Sequence, residues 1–391
     1  MGYTPGDASW ANLGQGSPET GSIPGDIIYN DVVQVDETNR HYSSVAGDTD
    51  LREKIAQLYN ELYRKDKKSK YTYGNVSICN GGRLALTRIA ASLGNIHMGH
   101  FIPDYTAYEE LLTLFKSFIP IPIQLDENSG FTISNIQLQR EIQEKGLQAL
   151  LLSNPSNPTG RLMHGNELKG WVTTAREEKC TMIFDEFYSH FIYATLPTNQ
   201  NTISAARYVE DVNSDPIVIV DGFTKNWRLP GIRLGWIVGP ESVIESVNSA
   251  GSFIDGGANH PSQQYVKILL EPERVKKRAN ILQDHFKKKR DFMLQSLKQI
   301  GLTPALAPEG TFYIWVSLHT LPEYYRDGMH FFRACLKEKI IVVPGEFFDV
   351  NPGKRRLHGK YHEYCRISYG PSMGTLKVGI KGLQRIVAHT K

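Results

Sequence analysis

Lys225 follows the apolar run Ile217-Val218-Ile219-Val220 and stands eight residues before Arg233, inside the stretch DGFTKNWRLPGIRLGW. A lysine at a strand-to-loop junction with a second cation a short loop away suits an aldehyde cofactor that carries a phosphate. The amine can form an imine and the guanidinium can neutralise the phosphate. Two solvated charges on a loop look the same, so the pair gains meaning only from its company.

Four further motifs supply that company. Asn80-Gly81-Gly82-Arg83 lies between a strand-like and a helix-like run, where paired glycines let the backbone approach a ligand and a new helix offers free N–H groups to an anion. A glycine turn with no ligand is the plain alternative. Asn154-Pro155-Ser156-Asn157-Pro158-Thr159-Gly160 follows an apolar strand, and its two Asn-Pro steps give an extended, rigid turn able to hold an amide in place. Asp185 ends the apolar run before Glu186-Phe187-Tyr188. A buried acid is costly unless it faces a cation, and a protonated pyridine nitrogen would serve; a helix N-cap is the competing explanation. Arg366 sits inside the strand-like run Tyr364–Gly370 and could grip a carboxylate through two parallel hydrogen bonds, or form a structural ion pair.

The elements that must position these residues repeat one grammar. Leu51–Tyr63 carries apolar residues at 51, 55, 58, 59 and 62 and predicts a helix with Asp48 or Asp50 as cap. Strands are expected at Asn75–Cys79, Gly99–Ile102, Leu147–Leu152 and Cys180–Phe184, and helices at Arg83–Leu93, Tyr108–Phe118 and Glu167–Lys179. Strands that are apolar throughout and alternate with helices predict an α/β fold: a large domain with a mainly parallel sheet flanked by helices. Ligands of such sheets collect at the carboxyl ends of strands, where every motif above falls. After Gln263 the pattern changes to a long helix over Pro272–Gln299, a strand over Gly310–Val316 and a closing helix over Leu376–Thr390, a smaller α+β unit. The expected division is an arm at 1–40, a large domain at 41–271 and a small domain at 272–391.

Bulk properties fit a soluble enzyme. The 391 residues are 40% hydrophobic and 22% charged, with a net charge of +3 and a mean hydropathy of −0.34. The basic runs at 64–70 and 286–290 sit in helix-like or linker contexts and read as solvated faces, so no nucleic-acid partner is expected. Cys79, Cys180, Cys335 and Cys365 lie far apart with no C-x-x-C pairing, which implies neither a metal site nor a disulfide framework. No apolar run approaches the ~20 residues of a bilayer span; a cytoplasmic protein without a membrane partner is expected.

Together NPSNPTG, DEFY, TKNWRLPGIRLG and CRISYG, in this order and spacing, resemble the class I/II aminotransferases of fold type I, which use pyridoxal 5′-phosphate (PLP). The likeness extends from about Asn12 to the C-terminus and includes Gly14-Gln15-Gly16, Tyr42…Gly47…Leu51-Arg52, Pro103–Tyr108 and Glu309–Tyr313. It implies that Lys225 forms the imine with PLP and then shuttles a proton, and that Asp185 keeps the ring nitrogen protonated. Asn157 and Tyr188 would bond the ring's phenolic oxygen, and Tyr105 would stack on the ring. Gly81, Gly82, Arg83, Thr224 and Arg233 would surround the phosphate, and Tyr42 would reach the phosphate of a second subunit, which implies a homodimer with shared sites. Gly16, Asn157 and Arg366 would meet the substrate, with Arg366 on the α-carboxylate.

The expected reaction is transfer of an amino group between an amino acid and a 2-oxo acid; β- or γ-elimination or cyclisation on the same fold is the alternative. Two positions depart from the usual pattern. Gly222 stands where many relatives have a serine whose hydroxyl meets the phosphate, and 345–362 is longer and more basic than expected. Asp255 falls near the place where dicarboxylate-specific relatives carry an arginine. An acid there would repel a second carboxylate, so a neutral or basic substrate is expected.

Overall fold

Unbroken apolar runs become the strands of a central sheet in the computed structural model, which describes residues 2–27, 29–30, 32–196 and 200–388. In chain order the strands are β1 (Ala11–Asn12), β2 (Val76–Cys79), β3 (Ile96–Ile102), β4 (Phe118–Gln124), β5 (Ala149–Ser153), β6 (Thr181–Asp185), β7 (Ile217–Gly222) and β8 (Gly235–Val238). A second group follows: β9 (Thr303–Pro304), β10 (Tyr313–Ser317), β11 (Ile340–Ile341), β12 (Val343–Pro344) and β13 (Tyr364–Ser368). The helices used below are α1 (Thr49–Tyr63), α2 (Gly82–Ser92), α3 (Ala107–Leu114), α4 (Asn135–Lys145), α5 (Gly165–Glu178), α6 (Glu241–Ile254), α7 (His260–Val266) and α8 (Pro272–Gln299).

The large sheet has seven strands in the order β2-β8-β7-β6-β5-β3-β4. Its β4-β3-β5-β6-β7 pairs are parallel, while β8 is antiparallel to both of its neighbours, β7 and β2. Strands β2, β5, β7 and β8 are buried along their whole length, as a sheet covered on both faces requires. The parallel register puts Ser153 beside Asp185 and Asp185 beside Val220, so the ends of β5, β6 and β7 open onto one edge.

Local signals account for most boundaries. Asp48 caps α1 by accepting from the Leu51 N–H at 3.0 Å, and Glu271 caps α8, which opens on Pro272. The helix expected over Tyr108–Phe118 is shorter. It ends at Leu114, Phe115 turns extended, and Phe118 starts the strand β4 that pattern reasoning did not anticipate. The reason is Pro120 and Pro122, which cannot donate to a ladder; β4 tolerates them because it is an edge strand paired only with β3.

The small sheet is antiparallel in the order β12-β13-β10-β9. Residue Ala11 near the start of the chain pairs with Ile340 through the short parallel ladder β1-β11. The closing helix spans Met373–Ala388; the end expected for it at Thr390 lies outside the described residues. Among the described residues no helix is long and apolar enough to cross a membrane.

Candidate active site

A cavity of about 520 Å³ opens at the carboxyl ends of β2, β3, β5, β6 and β7, and its far side is closed by Tyr313, Val343 and Arg366 of the small sheet and by Phe348 in the turn that follows β12. Gly16, Gly82, Arg83, Tyr105, Asn157, Asp185, Tyr188, Thr224, Lys225, Arg233 and Arg366 all line it. Residues scattered over most of the chain thus meet at one place, as the strand-end pattern predicted.

Lys225 donates from Nζ to the Gly16 carbonyl. Burial first, then the Arg366 guanidinium, brings its amine down to about 8; Arg233 and Arg83 add to the push and Asp185 opposes it. An amine at that value is the uncharged nucleophile for roughly a tenth of the time at pH 7, far more than an ordinary lysine. Asp185, 6% exposed, lies on the floor. One of its oxygens accepts from the Tyr108 hydroxyl at 2.9 Å and the other from the Phe187 N–H at 3.3 Å. Burial raises its carboxyl to about 6, against those two bonds and Lys225. Such a carboxylate is short of a cationic partner.

On the opposite wall the Arg366 guanidinium lies over two aromatic rings, with the Tyr313 centroid at 4.0 Å and the Phe348 centroid at 4.9 Å. Its Nη1 donates to Asn157 Oδ1 at 2.9 Å and its Nη2 to the Gly14 carbonyl at 3.1 Å, while its buried Nε has no hydrogen-bond partner among the described residues. Asn157 is held in turn by its own N–H, which donates to Ser153 Oγ at 3.1 Å. Tyr188 shares a 2.9 Å hydrogen bond with Tyr313, and burial holds its phenol well above the ordinary range.

The turn before α2 explains its glycines. Gly81, the helix N-cap, has φ +85° and makes no side-chain cap, so the first N–H groups of α2 stay open to the cavity. A Cβ at Gly81 would stand 2.4 Å from Arg233 Nη2, and one at Gly82 would stand 2.5 Å from the Phe187 ring. Arg233 itself adopts φ +53°. A bare helix N-terminus with a guanidinium behind it is suited to a phosphate. The chemistry of this donor set, with an open N-terminus, an amine lowered by burial and an acid lacking a cation, fits PLP.

Two predicted residues lie elsewhere. Tyr42 is 96% exposed and lines a separate cavity of about 700 Å³ with Arg40, Asn80 and Gly257. Asp255 requires a correction. Its carboxylate meets the guanidinium of Arg88 at 2.5 Å, Arg88 is fully buried, and Asp255 does not line the cavity. The acid is used to neutralise a buried cation. Sequence reasoning missed Tyr108, Ser153, Tyr313, Val343 and Phe348 as site residues. Tyr108 and Tyr313 were visible only as members of longer motifs, and Phe348 lies within the unassigned 345–362 segment.

Residues 9–383 match the family "Aminotransferase class I and II", and the chain belongs to it. It is an aminotransferase whose cofactor is PLP. An aspartate aminotransferase of Sulfurisphaera tokodaii is 26% identical over 363 residues, covering 90% of this chain and 84% of the relative. A probable aspartate/prephenate aminotransferase of Aquifex aeolicus is 25% identical over 352 residues, covering 89% and 84%. Among solved structures, an aromatic aminotransferase from Pyrococcus horikoshii superposes with a TM-score of 0.79 at 20% identity, covering 97% of this chain and 96% of that one. Aspartate aminotransferase from Thermus thermophilus with maleate also gives 0.79, at 21% identity and coverages of 96% and 91%.

Proposed function

We propose that the cavity transfers an amino group between an amino acid and a 2-oxo acid, with Lys225 as the proton carrier. The observation that supports this most is the convergence of the Lys225 amine, the Asp185 carboxylate and the Arg366 guanidinium on one cavity. When bound, PLP supplies an aldehyde that captures amino groups and a ring that accepts electrons. Lys225 is the group to take the proton from the substrate Cα and return it. Asp185 is the anion for the protonated ring nitrogen, a role for which its lack of a cationic partner fits it. Tyr105 covers the ring, Asn157 and Tyr188 face its phenolic oxygen, and Gly81, Gly82, Thr224 and Arg233 take the phosphate.

Arg366 receives the α-carboxylate, with Gly16 beside it. Its two aromatic neighbours and Asn157 hold the guanidinium in place before substrate arrives, which limits the entropy lost on binding. Exposed Tyr42 is assigned to the site of a second copy in a homodimer.

The expectation of a neutral or basic substrate loses its basis, because Asp255 is held by Arg88. The cavity instead presents Arg83, Arg233, Arg366 and Lys225 against Asp185, a balance that favours anions. Arg83 has no carboxylate within ion-pair distance among the described residues, and we assign it to a side-chain carboxylate rather than to the phosphate. A dicarboxylic amino acid is therefore one partner of the exchange, in keeping with the names of the relatives above. Lys225→Ala is expected to abolish the visible imine absorbance and all turnover; residual turnover at the wild-type rate would assign the chemistry to another residue.

A further inference from the structure

Arg366 is held by groups that are themselves held, and the bonds behind them meet at Asp104. The Oδ1 of Asp104 accepts from Ser153 Oγ at 2.8 Å and from the Tyr105 N–H at 2.7 Å. Ser153 Oγ in turn accepts from the Asn157 N–H at 3.1 Å, and Asn157 Oδ1 accepts from Arg366 Nη1 at 2.9 Å. A second route runs through the backbone. The Asp104 N–H donates to the Phe348 carbonyl at 3.1 Å, and the Phe348 ring centroid lies 4.9 Å from the Arg366 guanidinium.

Topology brings these residues together from both sides of the cavity. Strands β3 and β5 are parallel neighbours, so Asp104, two residues past β3, meets Ser153, the last residue of β5, at the edge of the large sheet. Phe348 arrives from the 345–362 segment, which crosses to α3 as a strap: Glu109 accepts from the Asn351 N–H at 2.9 Å and Thr113 Oγ1 from the Gly353 N–H at 3.1 Å. Water has little access to the chain of bonds, since Asp104 is 3% exposed, Ser153 8% and Asn157 1%. The Ser153 hydroxyl has a single hydrogen. Because Asp104 Oδ1 takes it, a lone pair is left to face the Asn157 N–H, and the direction of the chain is fixed. Burial above all raises the Asp104 carboxyl to about 8. The neutral amide of an asparagine, with the same accepting oxygen, is therefore a close substitute for it.

We propose that Asp104 and Ser153 are positioning residues for substrate recognition, which hold Asn157 and Phe348 so that the Arg366 guanidinium stands ready for the α-carboxylate before substrate arrives. This rests on the transamination reading, in which Arg366 receives that carboxylate.

The test uses the PLP-loaded enzyme and titrates aspartate and glutamate against β-alanine and 4-aminobutanoate, which keep the amine and the side-chain carboxylate but lack the α-carboxylate. Half-saturating concentrations are read from the absorbance of the bound cofactor. Ser153→Ala and Asp104→Leu should lower the preference for the α-carboxylate, measured as the ratio of the two half-saturating concentrations, roughly tenfold, the factor of 1.4 kcal/mol. Asp104→Asn should keep it. A general loss of packing or of cofactor contacts would weaken both members of a pair alike and leave the ratio where it was. The proposal is overturned if Ser153→Ala keeps the wild-type ratio, a result that decides the matter even where Asp104→Leu does not fold, or if Asp104→Asn lowers the ratio as far as Ser153→Ala does. Absence of any absorbance change when aspartate or glutamate is added to the wild-type enzyme would instead refute the reading of its reaction.

Discussion

A serine at position 222, the residue that the family resemblance leads one to expect there, should harm this protein, because the space for its Cβ is already filled. A Cβ on Gly222 would lie 2.5 Å from Gly235 Cα and 2.7 Å from the Leu234 carbonyl oxygen, with the Phe187 ring at 3.1 Å. The first two are backbone atoms of Gly235, which opens β8, and of Leu234 just before it, and Gly222 and Gly235 face each other in register. They cannot swing aside as a flexible side chain could. Overpacking of this kind costs about 1–3 kcal/mol. The hydroxyl could recover part of this only with phosphate bound, since one charge-assisted hydrogen bond contributes roughly 1.5–3 kcal/mol. Gly222→Ser is therefore expected to lower the stability of the cofactor-free protein by about 2 kcal/mol and to narrow that deficit with PLP. Urea unfolding followed by tryptophan fluorescence suits the measurement, because Trp227 and Trp236 are buried close by, against Phe223. A cofactor-free Gly222→Ser protein as stable as wild type would show that the strands separate easily, and the steric account of the missing serine would fail.

Asp255→Arg, which would look like a route to dicarboxylate specificity, should instead break a buried pair and set a second cation against Arg88; a loss of roughly 3–5 kcal/mol and little soluble protein are expected, and a stable variant with altered donor preference would contradict the assignment. Capture of PLP by the cofactor-free enzyme needs the uncharged Lys225 amine, which burial and Arg366 bring down to about 8. The capture rate should rise between pH 7 and 9 and then level, and a rate still climbing steeply beyond that range would show an ordinary lysine. Glu186, buried beside Asp185, is raised to about 8 from its ordinary 4.5, chiefly by burial. A raised carboxyl contributes stability at low pH that is lost as pH climbs through its folded value, so the thermal midpoint of Glu186→Gln should gain on wild type from pH 5 to 8.5; a constant difference would mean that Glu186 does not titrate there.

Residues that announce themselves in sequence are those whose polarity clashes with an apolar strand or whose backbone needs proline or glycine. Asp185, Arg366, the Asn-Pro turn and Gly81-Gly82 are of this kind, and the parallel sheet brings their strand ends together without further information. What could not be read depends on partners distant in the chain. Asp255 looked like a pocket residue because nothing nearby in sequence shows that Arg88, 167 positions away, needs an anion. Phe348 joins the site only because the strap crosses to α3, a contact that rests on Glu109 and the backbone of Asn351. The prolines of β4 concealed a strand that only its edge position permits.

The same long-range bonds bear on how Lys225 can work. Asp221 accepts from the Gly222 N–H at 2.6 Å and from Asn226 Nδ2 at 2.9 Å, and Ser189 donates to its other oxygen at 3.2 Å. Asn226 in turn accepts from the His190 N–H at 3.1 Å. On the other side of the lysine, Arg228 meets Asp26 at 2.8 Å and Arg278 meets the same carboxylate at 3.0 Å. The backbone is thus held by buried bonds both before and after residue 225, and the freedom left lies in the four-carbon side chain. A proton carrier at Cα needs that combination: an anchored Cα keeps the amine within reach of one atom, and a flexible stem lets it pick up the proton, move aside and return it. Arg366 lacks such freedom, being held by Tyr313, Phe348, Asn157 and the Gly14 carbonyl. The lysine is the mobile part of the site, and the arginine that orients the substrate is the rigid part.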